Sequence, residues 1–377
     1  MSKVLLGEVA HERKETCKGS KEGYPIVGLE HLIPEQITLT TWDEGAENTF
    51  TKMFRKGDVL FGRRRAYLKK AAIAPFDGIC SGDITVIEAD PDKILPELLP
   101  FIIQNDDLFD FAVGKSAGSL SPRVKWEHLK NYAFELPDMD KQKELAELLW
   151  AIDDTKKSYQ KLIAATDELV KSQFMEQFKE LINNPEVCSK IEDECTVFAD
   201  GDWIESKDQS DEGIRLIQTG NIGNAQYLDK GERARYITED TFNRLNCTEV
   251  KANDILISRL PDPVGRACII PEGLGKCITA VDCTIVRLRS RILPEYFIAY
   301  TLSPFYMMQV AARETGSTRK RISRKNLGIL KIPVPQIAEQ ESFASIVRQS
   351  DKSKFEMEQA LSELTATYKR IITENLG

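Results

Sequence analysis

The sequence predicts an α+β fold: two similar strand-rich globular domains separated by two long antiparallel helices that form a coiled coil, the whole carrying an approximate internal twofold from duplication. Three observations predict it. The chain repeats itself at a fixed offset, each repeat ends in a stretch of about 38 residues without Gly or Pro, and short β-branched runs bounded by Gly or Asp recur at matching places in both halves.

The repeat comes first because it fixes the architecture. Setting GSLSPRVKWEHL (118–129) on GSTRKRISRKNL (316–327) gives a constant offset of 198, pairing Arg123 with Arg321 and Leu129 with Leu327 without a gap. The register continues through Leu136-Pro137 over Val334-Pro335, Gln142 over Gln340 and Asp153 over Asp351. Upstream, KGDVLFGR (56–63) resembles ANDILISR (252–259), and SGDITVI (81–87) resembles AVDCTIV (280–286), with small changes of offset. These are the candidate strands. The implied boundaries are a first domain at 1–137, a central helix at 138–182, a second domain at 183–335 and a C-terminal helix at 336–377.

The helices follow from what interrupts them. After Pro137 nothing breaks a helix from Lys141 to about Phe178, and after Pro335 nothing does from about Glu339 to Leu376. Leu145, Leu148, Ile152, Thr155, Tyr159, Leu162, Thr166 and Leu169 alternate spacings of three and four, as do Phe343, Ile346, Ser350, Ser353, Met357, Ala360, Leu364, Thr367 and Ile371. Leu149, Ile163, Val347, Leu361 and Tyr368 add apolar surface beside the seam. Such a helix spans roughly 57 Å at 1.5 Å per residue, longer than a small domain is wide, so each is expected to pack against the other.

Composition bounds the class. A chain of 377 residues with 42% hydrophobic and 29% charged residues is globular and multi-domain, and no apolar run is long enough to cross a bilayer, which places it in the cytoplasm. Eight cysteines show no C-x-x-C and no flanking histidine, so they are expected as reduced core residues with no metal site. The net charge of −8 argues against a nucleic-acid partner until its distribution is considered. Residues 186–212 hold ten acids against Lys190 and Lys207, and the rest of the chain is neutral.

Two globular halves, each closed by G-S-x-x-x-R-[VI], a hydrophobic-Pro turn, a Gln and a long Asp-containing helix, resemble the specificity subunit of type I restriction-modification enzymes. The carriers are GSLSPRV then ELPDMDKQK, and GSTRKRI then KIPVPQIAEQE. The first half departs at Asp138-Met139-Asp140-Lys141, where the family usually has a second Pro and an acidic residue before Gln. The resemblance covers essentially the whole chain. It implies that each globular half is a target recognition domain reading one half of a split double-stranded DNA sequence. The helices would then space those domains and hold two methyltransferase subunits, with restriction and motor subunits as further partners. It implies no cofactor on this chain: S-adenosylmethionine, ATP and Mg belong to the partner subunits, whose complex methylates adenine N6. A degenerate scaffold that no longer reads DNA is the alternative reading.

The residues agree that catalysis is absent. No glycine-rich cofactor loop with an Asn/Asp-Pro-Pro-aromatic box occurs, and no G-x-x-x-x-G-K-[ST]. Candidates for DNA contact are the cations Arg63, Arg64, Arg65, Lys69 and Lys70, and Arg319, Lys320, Arg321, Arg324 and Lys325 with Arg313. Lys115, Ser119, Arg123 and Lys125 are the first-half counterparts of the second set, and Arg259 with Arg266 of the first. For base reading, Arg215 can fork to guanine, and Gln218 or Asn221, with Thr219 beside them, to adenine; Glu30 and His31 are the weaker equivalents. Leu145, Leu149, Ile152, Tyr159, Ile163, Phe343, Val347, Met357, Leu361 and Leu364 are the candidate partner-binding positions of the helices.

Overall fold

The structure, a computed structural model, describes residues 2–45 and 48–377. They form two compact units, one made by the chain up to Lys161 together with Glu358–Gly377, the other by Leu162–Met357.

The same sheet is built twice. In the first unit an antiparallel sheet runs in the order Ala10–Glu12, Ile84–Ala89, Val59–Gly62, Ala71–Ile73. In the second it runs Cys195–Asp200, Cys283–Leu288, Ile255–Ser258, Ala267–Ile269. Val59–Gly62 and Ile255–Ser258 are fully buried because they separate two cores, and their period of two divides them. Val59 and Phe61 face the helical core while Leu60 faces a smaller cluster; Ile255 and Ile257 do the same against Leu256. A second small sheet also repeats. Ile26–Val27 lies parallel to Gly78–Cys80, which pairs antiparallel with Lys52–Phe54, and Asp43 bridges to Ile26. Likewise Ile214–Ile217 lies parallel to Cys277–Thr279, with Arg235–Ile237 on one side and Val250 bridging Cys277 on the other.

Each domain ends by pairing its first segment with its last strand: Ser2–Leu5 with Ala133–Leu136, and Ser189–Lys190 with Lys331–Ile332. The chain then turns at a proline into a long helix, Met139–Gln177 or Ile337–Leu376. Gln142 and Gln340, 2% and 0% exposed, fix those turns. Gln142 Oε1 accepts the Leu95 N–H at 2.8 Å, and its Nε2 donates to the Pro137 carbonyl at 2.9 Å. Gln340 Oε1 accepts the Leu293 N–H at 2.9 Å, and its Nε2 donates to the carbonyls of Arg291 and Pro335 at 2.8 and 2.9 Å. The pairs Gln142 and Gln340, Leu95 and Leu293, and Pro137 and Pro335 are each related by 198, while the bond to Arg291 belongs to the second half alone.

Within each unit the two helices run antiparallel. In the first, Leu145 and Leu149 share a core with Ile372 and Leu376, and Trp150 and Tyr368 both pack edge-on to Phe101 at 5.0 and 6.1 Å. In the second, Phe174 and Phe178 meet Phe343 at 5.5 and 5.6 Å, and Lys354 pairs with Asp167 at 2.6 Å.

The expected seam needs correction. Leu145 and Ile152 are buried, yet Leu148, Leu162 and Leu169 are 46%, 53% and 52% exposed, and the core side is carried by Leu149, Val170 and Phe174. The buried stripe is set by the globular domain as well as by the other helix, so it is broader than a heptad seam and shifted around the helix. Of the partner-binding candidates, Leu145, Leu149, Ile152 and Phe343 are consumed by this chain's own cores and are not available to another protein. Tyr159, Ile163, Val347, Met357, Leu361 and Leu364 are half-buried.

Gln340→Leu would strand a buried N–H and two carbonyls at about 1 to 3 kcal/mol per unsatisfied group. We expect it to lower stability by about 3 kcal/mol or more, read as a shift of the urea midpoint, with Gln142→Leu showing a comparable loss.

Candidate nucleic-acid interface

In the first unit two loops meet edge to edge. Arg63–Lys70 follows the central strand, and Lys115–Lys125 precedes the last helix turn before Ala133–Leu136. Arg64 and Arg123 form a β-bridge, the Arg65 N–H donates to the Pro122 carbonyl at 2.8 Å and the Val124 N–H to the Arg63 carbonyl at 3.0 Å. Asp83 is the counter-ion at the junction. Arg123 holds it through Nε at 2.7 Å and Nη2 at 3.2 Å, and Arg64 lies 3.5 Å away while donating to Ser121 Oγ at 3.0 Å. Arg123, with Arg64 and Arg63 behind it, keeps the Asp83 carboxyl below the ordinary carboxylate range.

What remains free is a set of exposed cations around this junction. Arg65 sits in left-handed backbone (φ 54°) at the tip of the loop, beside Tyr67 and Leu68, which are also exposed. Lys115, over the Phe111 ring at 5.7 Å, and Lys125 are exposed, as is Ser119. Leu120, at the apex of the second loop, is 91% exposed, an apolar tip among polar neighbours. Lys69 and Lys70 are half-buried and already engaged, binding Asp106 and, at 2.6 Å, the Leu29 carbonyl.

The second unit repeats the frame with different occupants. The Ile322 N–H donates to the Arg259 carbonyl at 3.1 Å, as Val124 does to Arg63, and Thr315 bridges Arg321 as Ala117 bridges Arg123. Arg319, Lys320, Arg321 and Lys325 are exposed, Lys320 pairing with Glu314 at 3.1 Å. Arg324 reaches Asp200 at 3.5 Å and the Phe198 carbonyl at 3.2 Å.

Several sequence candidates are spent on the fold. Arg259 is 5% exposed, donates to the Val281 carbonyl and lies 3.4 Å from Asp200, so it faces no groove. Arg266 donates to four carbonyls, those of Ile222, Leu260, Pro263 and Thr219, at 2.7 to 3.0 Å. Its guanidinium pins one loop to another. Asn221 is buried: its Oδ1 accepts the Gln218 N–H at 3.0 Å and its Nδ2 donates to the Leu228 carbonyl at 2.9 Å. In the first unit, His31 Nδ1 accepts the Gly28 N–H at 2.9 Å. That puts its proton on Nε2, 3.6 Å from Asp43, so this His, Glu30 and Asp43 cannot ligate a cation without breaking the Gly28 bond.

The structure adds cations that sequence reasoning passed over. Arg215, paired with Asp229, shares a cleft of about 200 Å³ with Gln218, Thr219, Lys230, Arg233 and Arg235. Lys230, Arg233 and Arg235 are exposed, and Arg235 donates to Gln209 Oε1 at 2.7 Å. Three cations in the six residues KGERAR (230–235) were the signal. Three of the ten acids in the segment before it are counter-ions to arginines: Asp200 for Arg259 and Arg324, Glu194 for Arg291, Asp208 for Arg244. Arg244 holds the Asp208 carboxyl below its ordinary range.

Two basic loop pairs, one per duplicated domain, form a frame suited to phosphates and base edges. The family described as type I restriction modification DNA specificity domain matches residues 4–165 and 187–365. The putative type I restriction enzyme MjaX specificity subunit of Methanocaldococcus jannaschii is 21% identical over 361 residues, covering 89% of this chain and 83% of its own. The EcoDI specificity subunit of Escherichia coli is 27% identical over 161 residues, covering 40% and 36%. A solved chain from work on complex assembly and conformational transition of the type I R-M system aligns with a TM-score of 0.61 at 20% identity, covering 99% and 97%. The S subunit of a type I restriction-modification system from M. genitalium gives 0.54 at 12%, covering 100% and 96%. No helix among the described residues is long and apolar enough to cross a membrane. With two copies of the specificity domain spanning nearly its whole length, the chain belongs to the type I restriction-modification DNA specificity family and is a DNA-recognition subunit of such a system.

Proposed function

We propose that each domain reads one half of a bipartite double-stranded DNA target through its basic loop pair, and that the chain acts without catalysis of its own as the scaffold for two methyltransferase subunits and for restriction subunits. The observation that carries this is the duplicated junction, Arg64 against Arg123 and Arg259 against Ile322, which presents exposed cations at the same place in two domains. The phosphate contacts are assigned to Arg65, Lys115 and Lys125 in the first domain and to Arg319, Arg321, Lys230 and Arg233 in the second. Base reading in the second domain falls to Gln218 and Arg215, which line the cleft. Arg123, Arg259 and Arg266 shape the loops rather than touch DNA. S-adenosylmethionine, ATP and Mg are assigned to the partner subunits.

The direct test is to assemble the chain with its methyltransferase subunits and sequence the DNA they methylate. A two-part motif is the expected outcome, and methylation without sequence preference would overturn the reading. Replacing Lys230 and Arg233 together by Ala should weaken DNA binding about tenfold near physiological salt and flatten the slope of log K against log salt by about 2. The effect should fall on one half-site. Arg259→Met should instead lower the unfolding midpoint, costing about 2 kcal/mol from the unpaired Val281 carbonyl and the loss of one of the two guanidiniums beside Asp200.

A further inference from the structure

The first unit holds a cavity of about 320 Å³ that the DNA reading does not use. It is framed by the start of the helix Asp106–Gly114, by Asp153 and Lys156 of the first long helix and by Thr365–Thr373 of the second. Its apolar wall is Ile37, Phe109 and Ile372, each at most 3% exposed.

Three residues that line this space carry hydrogen-bond donors with no acceptor among the described residues. Asn105 is 6% exposed, and its Oδ1 caps the helix by accepting the Asp107 N–H at 3.2 Å. The amide therefore cannot flip, and its buried Nδ2 is left unpartnered. The buried Tyr368 hydroxyl is likewise unpartnered. Burial holds that hydroxyl in its protonated, donating form. The Lys156 ammonium lies 5.1 Å from the centroid of the Tyr368 ring. Of the other charges around the space, Glu35 and Asp107 have no ion-pair partner among the described residues, and the rest are paired internally. Lys69 and Lys369 both bind Asp106, and Lys157 pairs with Asp153 at 2.6 Å.

The second unit supplies a built-in comparison. Its corresponding cavity, about 240 Å³, is reached by the same offset of 198. There Ser303 stands for Asn105, and its Oγ is satisfied, accepting the Tyr306 N–H at 3.2 Å and donating to the Tyr300 carbonyl at 2.7 Å. Lys354 stands for Lys156 and is neutralised by Asp167 at 2.6 Å, where the first unit has Thr365. Val170 stands for Tyr368. The fold does not require the unpaired donors, since its second copy has none of the three.

We propose that the first unit binds a small organic carboxylate with an apolar body, the carboxylate taking Asn105 Nδ2, the Tyr368 hydroxyl and the Lys156 ammonium and the body resting on Ile37, Phe109 and Ile372. A monoanion fits better than a phosphate monoester, because Glu35, Asp107 and the paired Asp106 line the same space and repel a second negative charge. This site is independent of DNA recognition.

The test uses the full chain and 4-fluorobenzoate, followed by fluorine NMR, with neutral 4-fluorobenzamide as the matched control. Saturable binding of the benzoate, at least tenfold tighter than the amide, is expected. Tyr368→Phe should weaken it about tenfold by removing one hydrogen bond to a charged group. Thr365→Asp, which sets a carboxylate beside Lys156 as Asp167 sits beside Lys354, should weaken it at least as much while leaving the unfolding midpoint nearly unchanged. Benzoate that binds no better than the amide, or equal binding by the Thr365→Asp chain, would overturn the proposal and leave ordered water as the partner of these donors.

Discussion

The buried glutamine at the head of each long helix is the constraint on which the rest of the structure depends. A helix of about 40 residues leaves its domain at an angle set by one turn, and small errors there grow along the rod. Proline makes that turn but removes an N–H, leaving its own carbonyl facing the protein interior. Only a side chain with both a donor and an acceptor can close the carbonyl and an N–H of the domain at once, and Gln142 and Gln340 do this from inside the first helical turn. Glutamate would lose the donor and bury a charge; leucine would lose both bonds. The clamp thereby couples the helix start to the segments Leu95 and Leu293, which in turn lead into the helices that cover the main sheets.

Charge in this protein is sorted by whether it meets another charge inside the fold. A net of −8 suggests repulsion from DNA, yet the segment that produces it, 186–212, supplies carboxylates that hold Arg244, Arg259, Arg291 and Arg324 in place. Those acids rigidify the arginines nearest them and let more distant cations, such as Arg319 and Lys230, project unpaired. Screening makes remote acids matter little beyond about 8 Å at physiological salt, so a locally basic loop can serve an acidic chain.

How much of this was legible in the sequence differs by level. The offset of 198 gave the duplication, the helix limits and the clamp positions, because backbone bonding recurs with the register whatever the side chains are. The sorting of the arginines was not legible. Arg63 and Arg259 end matching strands in matching motifs, but Arg259 is drawn inward because Asp200 and the Val281 carbonyl lie within its reach. The helix seam was misplaced by one position, since periodicity records only that a face is buried and the globular domain claims part of that face. The cations at 230–235 were passed over because they lie on a short strand and 3-10 turn that have no close equivalent in the first half.

The duplication preserves bonding requirements more faithfully than residues. Asp58 and Asp254 occupy the same turn before the central strand, each accepting the backbone N–H three residues earlier, at 2.7 and 2.8 Å. Each buried carboxylate needs a guanidinium, and the two halves supply it from different strands. Arg13, just beyond the edge strand, serves Asp58 and is also held by Glu88 at 2.8 Å; in the second half the position of Glu88 is taken by Arg287, which serves Asp254 directly. Leaving either carboxylate unpaired would cost several kcal/mol, so the counter-ion can migrate between strands but cannot vanish. The same logic separates necessity from choice elsewhere in the molecule. A group whose partner persists in both copies, such as the clamp glutamine, answers to the fold, whereas the unpaired donors of Asn105 and Tyr368 exist in one copy only and answer to something the fold does not contain.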